Sequence, residues 1–159
     1  MQQFEMQKSL LFQSLGESKK MVLSTSLHDK VTSRTMSIII LDAKFYFQSD
    51  IMFRKYEQIL GNPNVSLCVD NIQIEGRCFE IGPPASLPVF CELFEKNFSA
   101  SYKRYTSLKN ERVFEVNPLY IQKWIYENNE PFIEQYDFCN MIYRKKPYMT
   151  ESAAHEHLL

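Results

Sequence analysis

The sequence predicts a mainly β domain, an antiparallel barrel with helices on its rim. Short runs rich in β-branched and aromatic residues recur along the chain, polar turns of hairpin length join most of them, and the few helical periodicities lie before or between them. Parallel βαβ units need crossover connections of about a dozen residues or more, which most of these joins lack. Closing the antiparallel sheet into a barrel removes its unpaired edges.

Phe4 to Leu15 carry Phe4, Leu11 and Leu15 at roughly helical spacing and stop at Gly16, as an amphipathic leading helix within 1–16 would. Met21-Val22-Leu23-Ser24-Thr25-Ser26 and the run from Val31 to Leu41 flank the polar break His28-Asp29-Lys30 and read as a hairpin. Asp42-Ala43-Lys44 then turns the chain into an aromatic strand, Phe45-Tyr46-Phe47. From Met52 to Leu60 the period lengthens to a short helix, which Gly61-Asn62-Pro63-Asn64 ends. Val65 to Val69 and Ile72 to Ile81 alternate on either side of Asp70-Asn71, and Gly76 marks a bulge or the close approach of another backbone.

Ser86 is expected to cap a helix that buries Val89, Phe90, Leu93, Phe94 and Phe98, an aromatic stripe read as packing. A basic, tyrosine-bearing linker follows. Arg112 to Val116 and Tyr120 to Ile125 read as the last two strands, separated by Asn117-Pro118. Residues 1–126 thus form one domain, and 127–159 form a C-terminal extension. Its Phe132, Ile133, Tyr136, Phe138 and Tyr143 are too apolar for a disordered tail, so it is expected to pack on the barrel or on a partner subunit and to fray from about Thr150.

Composition bounds the function. A content of 45% hydrophobic residues is ample for one core, and 18 Lys and Arg against 19 Asp and Glu give a net charge of -1. No long-range field then draws nucleic acid or an anionic membrane, and any anion site must be local. Tyr102-Lys103-Arg104-Tyr105 mixes the residue types of a single-strand-binding groove, but without a basic excess it reads as a solvated helix end. Met1 to Lys8 lack the basic start and apolar run of a secretory signal, and no stretch approaches a membrane span of roughly 18 apolar residues. A cytoplasmic location is expected. The four cysteines, Cys68, Cys78, Cys91 and Cys139, form no CxxC pair and are expected to be free thiols, the first three as core hydrophobes.

Few residues suggest chemistry on their own. Of three histidines, His28 falls in a turn and His155 and His157 in a polar tail, so neither a general base, a metal site nor an axial haem ligand is evident. Four glycines cannot build a dinucleotide loop, and no nucleophile elbow, HExxH pair or EF-hand loop is present. What remains is a cationic pair, Arg54-Lys55, opening the short helix, with Ser49 just upstream and Arg34 on the preceding strand. Free amides at a helix start, two cations and a hydroxyl make a workable phosphate cradle.

These positions resemble the pyridoxamine 5'-phosphate oxidase-like, FMN-binding split-barrel superfamily. The likeness runs from about Lys20 to Tyr126. It takes in Met21-Val22-Leu23-Ser24-Thr25, Arg34-Thr35-Met36-Ser37, Phe45-Tyr46-Phe47-Gln48-Ser49, Arg54-Lys55, Asn62-Pro63-Asn64-Val65, Glu75-Gly76-Arg77-Cys78, and Phe114-Glu115-Val116-Asn117-Pro118 leading to Trp124. The resemblance implies an antiparallel split β-barrel in which Arg34, Thr35, Met36 and Ser37 line the flavin ring and ribityl chain. It implies that Ser49, Arg54 and Lys55 hold the FMN phosphate with Gln48 nearby; Arg34, so placed, is expected on chemical grounds to stabilise charge on the reduced ring. It also implies a homodimer with the site at its interface, where Trp124 or the C-terminal extension meets the flavin of the other subunit.

The implied activity is an FMN-dependent oxidoreduction of an unidentified small molecule, because a flavin brings its own hydride and electron chemistry. The alternative is a module that binds flavin or haem without turnover. Two departures stand out: Phe53 replaces a small hydroxyl residue before Arg54-Lys55, and Tyr143-Arg144-Lys145-Lys146-Pro147 does not match the arginine-rich signature of a true pyridoxamine phosphate oxidase.

Overall fold

A computed structural model of the chain describes residues 1–148, so the fraying expected from Thr150 and the tail histidines His155 and His157 lie outside the described residues. The elements are α1 (Gln2–Leu15), β1 (Ser18–Leu27), β2 (Lys30–Leu41), β3 (Lys44–Asp50), α2 (Arg54–Gly61), β4 (Asn64–Val69), β5 (Ile72–Gly82), α3 (Pro88–Asn97), α4 (Ser99–Tyr105), β6 (Glu111–Glu127), β7 (Glu130–Asp137) and β8 (Ile142–Pro147). Six strands close a barrel in the order β3-β2-β1-β4-β5-β6, with β6 returning to β3. Every pairing is antiparallel. β7 and β8 extend the sheet outward from β6.

Turn chemistry fixes the hairpins. His28-Asp29, Asp42-Ala43 and Asn128-Asn129 are two-residue connections with both residues at positive φ. Such turns carry the twist of the strands they join, and Asn and Asp tolerate that conformation best among residues with a Cβ.

Where the sequence suggested two strands parted by Asn117-Pro118, one strand of 17 residues runs through. Its first half pairs with β3, from Phe45↔Val116 to Asp50↔Glu111, and its second half with β7. The change of partner falls at a bulge, where Glu75↔Tyr120 is followed by Gly76↔Pro118 and Leu119 is skipped by β5. A bulge tolerates a proline that cannot donate to the ladder. Gly76 is required there, since a Cβ would lie 2.8 Å from the Asn117 carbonyl oxygen.

Inside the barrel, Met21, Leu23, Ile38, Phe45, Phe47, Leu67, Ile74, Phe114 and Ile121 are wholly buried, and Phe47 stacks on Phe114 at 5.1 Å. α1 closes one end through Phe4, Leu11 and Leu15. The C-terminal extension packs on this cap: Phe138 meets the Phe4 ring edge-on at 5.3 Å. It contributes two strands of the sheet and not an irregular wrap. Outside the barrel, Ile39, Val113, Phe90 and Phe94 form a second small core under α3. Ile38-Ile39-Ile40 is continuously apolar because this part of β2 is covered on both faces.

Other expectations are corrected. Ser86 is not the cap of α3; it sits in a short 3-10 turn, its hydroxyl donating to the Pro83 carbonyl, while Leu87 precedes the helix. Val89 is exposed. The basic segment after α3 is the helix α4. Cys78 is buried and burial pushes its thiol up to about 12, but Cys68 faces solvent beside the inward Leu67; all four cysteines are free. Among the described residues no helix is long and apolar enough to cross a membrane.

Candidate functional site

Residues of β2, β3 and the head of β6 face α3, α4 and the first turn of α2 across a cleft of about 410 Å³. β2 contributes Thr35, Met36 and Ser37, and β3 contributes Gln48, Ser49 and Asp50. Phe53 and Lys55 come from the entry to α2, Phe94 from α3, Ser101 and Tyr105 from α4, and Leu108 and Glu111 from the turn into β6.

The cleft gathers Thr35, Met36, Ser37, Gln48, Ser49 and Lys55, and leaves out Arg34, Arg54 and Trp124. Arg54 is exposed at the first position of α2; one residue on, a rotation of about 100° brings Lys55 round to the cleft. Trp124 packs with Tyr148 at 5.2 Å and Tyr126 at 6.3 Å on the second half of β6. The Arg34 guanidinium donates to the Leu23 carbonyl at 3.2 Å, to Thr25 at 2.9 Å and to Thr32. Gln58, buried on α2, accepts from both hydroxyls, Thr25 at 2.6 Å and Thr32 at 2.8 Å. This network ties α2 to the β1–β2 hairpin behind Lys55.

Among the described residues, Lys55 is the only cation lining the cleft and forms no ion pair. Its ammonium lies 4.4 Å from the centre of the Phe53 ring. Burial holds Lys55 below its ordinary range, the nearby Arg34 charge adds to that, and Glu111 and Asp50 oppose it. Phe53 is the residue before α2 and supplies no side-chain oxygen, so no side chain caps the first-turn amides. Gln48 is held in place by Thr106, whose hydroxyl donates to its side-chain oxygen at 2.9 Å.

Glu111, which the sequence reading passed over, is 5% exposed. It stands directly opposite Asp50 in the β3–β6 ladder. Burial pushes its carboxyl up to about 6, Asp50 adding to the push and Lys55 opposing it. Phe94, read as packing, belongs both to the small core under α3 and to the cleft wall. Ser101, Tyr105 and Glu111 were missed because α4 read as a linker and β6 as starting at Arg112. The parity Glu115, Val113, Glu111 was the available signal.

A phosphate monoester has what it needs here: one unpaired ammonium, uncapped helix amides, and the Ser49, Thr35 and Ser37 hydroxyls around one cleft. Two carboxylates, Asp50 and Glu111, share that space and count against an anion.

A closed six-strand antiparallel barrel with helices packed on it is the fold of the FMN-binding split barrels. The family model described as pyridoxamine 5'-phosphate oxidase matches residues 11–125, and the chain belongs to that family. A pyridoxamine 5'-phosphate oxidase-related FMN-binding protein from Nostoc punctiforme is similar at a TM-score of 0.62 and 13% identity, over 91% of this chain and 94% of that one. General Stress Protein 26 from Bacillus anthracis aligns at 0.58 and 24% identity, over 72% and 91%. A heme storage protein from Vibrio cholerae aligns at 0.57 and 11% identity, over 70% and 88%. At these identities the likeness carries the fold. No curated protein matches the chain.

Proposed function

We propose that the chain is an FMN-binding flavoprotein and an oxidoreductase acting on a small molecule. The observation that carries this reading is Lys55, a half-buried cation in the wall of a cleft with no carboxylate paired to it among the described residues. Its ammonium and the amides at the head of α2 would hold the FMN phosphate, with Ser49 donating from β3. Thr35, Met36 and Ser37 would line the ribityl chain and ring along β2, and Phe94 would close the opposite wall. Bound there, the flavin supplies hydride and electron transfer, and the protein supplies position and exclusion of water.

A homodimer with the site at its interface belongs to the same reading. Met52, Phe53, Tyr105 and Leu108 stand exposed at or beside the mouth of the cleft, an apolar rim suited to a second subunit. Vitamin B6 phosphates are not the proposed substrate: Tyr143-Arg144-Lys145-Lys146-Pro147 forms the outer strand β8 and departs from the arginine-rich signature.

The test is the absorbance spectrum of the purified protein, with mass spectrometry of what acid releases. A flavin spectrum, released FMN and bleaching by a reduced nicotinamide under anaerobic conditions are expected. A flavin spectrum without bleaching by any nicotinamide or dithionite-independent donor leaves a non-catalytic module. A Soret band in place of flavin absorption overturns the reading in favour of haem.

A further inference from the structure

We propose that the Glu111 carboxyl touches the ligand directly, binding the flavin phosphate as an acid: it takes a proton from solvent and donates it in a hydrogen bond to a phosphate oxygen. The proposal rests on the reading of the cleft as an FMN site and adds a ligand-contacting residue to it.

The geometry leads there. Glu111 is 5% exposed yet lines the cleft from the head of β6. Asp50 is its cross-strand neighbour, and like charges directly opposite each other on a ladder repel. The Asp50 Oδ1 accepts a hydrogen bond from the Met52 amide at 2.7 Å, whereas no side-chain hydrogen bond to Glu111 is formed among the described residues. Among the described residues no cation forms an ion pair with Glu111.

The titratable groups facing Glu111 are Asp50 from β3, Lys55 from α2 and Tyr105 from α4; β2 presents only Thr35, Met36 and Ser37. One lysine therefore stands against two carboxylates before any ligand arrives. A phosphate entering beside Lys55 adds negative charge, and the group most easily neutralised is the buried acid already held up to about 6. Once protonated, Glu111 changes from an acceptor that repels the phosphate into a donor that binds it.

The experiment is a titration of the apoprotein with FMN, and in parallel with riboflavin, between pH 5 and 8. Above about pH 6 the FMN dissociation constant of the wild type should rise toward tenfold per pH unit, the limit for uptake of one proton. Glu111→Gln, which donates from an uncharged amide, should flatten this rise while keeping whatever slope comes from the phosphate's own second ionisation near 6. Riboflavin, without a phosphate, should show no such difference between the two proteins. Asp50→Asn provides a second test that leaves Glu111 in place: removing the like charge lowers the proton affinity of Glu111, so the rise should begin at lower pH. Equal slopes for wild type and Glu111→Gln, with FMN bound by both, overturn the role of Glu111 alone. Failure of the wild type to bind FMN at any pH overturns the reading of the cleft and this inference with it.

Discussion

On the inner face of the β3–β6 ladder Phe45, Phe47, Phe114 and Val116 are wholly buried, whereas on its outer face, one residue along the same two strands, stand Tyr46, Gln48, Asp50, Glu111 and Glu115. The inner residues face a closed interior and pair by shape, as in the Phe47–Phe114 stack. The outer residues meet through polar and charged groups: Tyr46 donates to Glu115 at 2.9 Å, while Asp50 and Glu111 stand directly opposite each other in the ladder. A single backbone ladder therefore sets stability on one side and ligand chemistry on the other. Substitutions one position apart should separate into two experimental classes.

Phe114→Ala removes a wholly buried ring from the inner face. Denaturant unfolding should show a loss of about 3–5 kcal/mol; a loss below about 1 kcal/mol would mean that the inner face is not the tight core described. Gln58→Ala tests a polar group at the same depth. It leaves the Thr25 and Thr32 hydroxyls without their shared acceptor, and about 1–3 kcal/mol should be lost in the same assay.

Glu111→Gln belongs to the outer face and should act with the opposite sign. The folded carboxyl is raised from 4.5 to about 6, so its contribution is fully present below about 4.5 and is lost as the pH rises through 6. Thermal melts should therefore show the variant matching wild type near pH 4 and exceeding it at pH 7.5. A variant less stable than wild type at pH 7.5 would show that Glu111 holds the fold and not the ligand. Arg54→Ala should change little: unfolding within about 0.5 kcal/mol and FMN affinity within about twofold, as for an exposed side chain away from the cleft.

Much of the barrel was legible in the sequence because its hairpins announce themselves. Asp42-Ala43 and Asp70-Asn71 sit between alternating runs, and the Gly61-Asn62-Pro63 stop of α2 leaves no alternative. The continuity of β6 through Asn117-Pro118, and the strands β7 and β8, were harder. In β8 only Tyr143 is even partly buried, so no alternation was written into the residues, and β8 is a strand because β7 pairs with it. The site divided along the same line. Thr35, Ser37 and Gln48 came from the family resemblance, and the cleft includes them, but which of Arg54 and Lys55 turns inward depends on where α2 begins, and Phe53 gives no capping signal. Glu111 depends on a ladder between strands 61 positions apart in Asp50↔Glu111, a separation that local patterns do not encode.

The central claim is that Lys55 receives a phosphate in the outer-face cleft, and the most direct measurement compares FMN and riboflavin affinities for wild type and Lys55→Gln at pH 6. The account expects FMN to bind the variant about 10–100-fold more weakly, the worth of a charge-assisted hydrogen bond, with riboflavin binding unchanged. Equal loss for both ligands, or no loss for FMN, would contradict it.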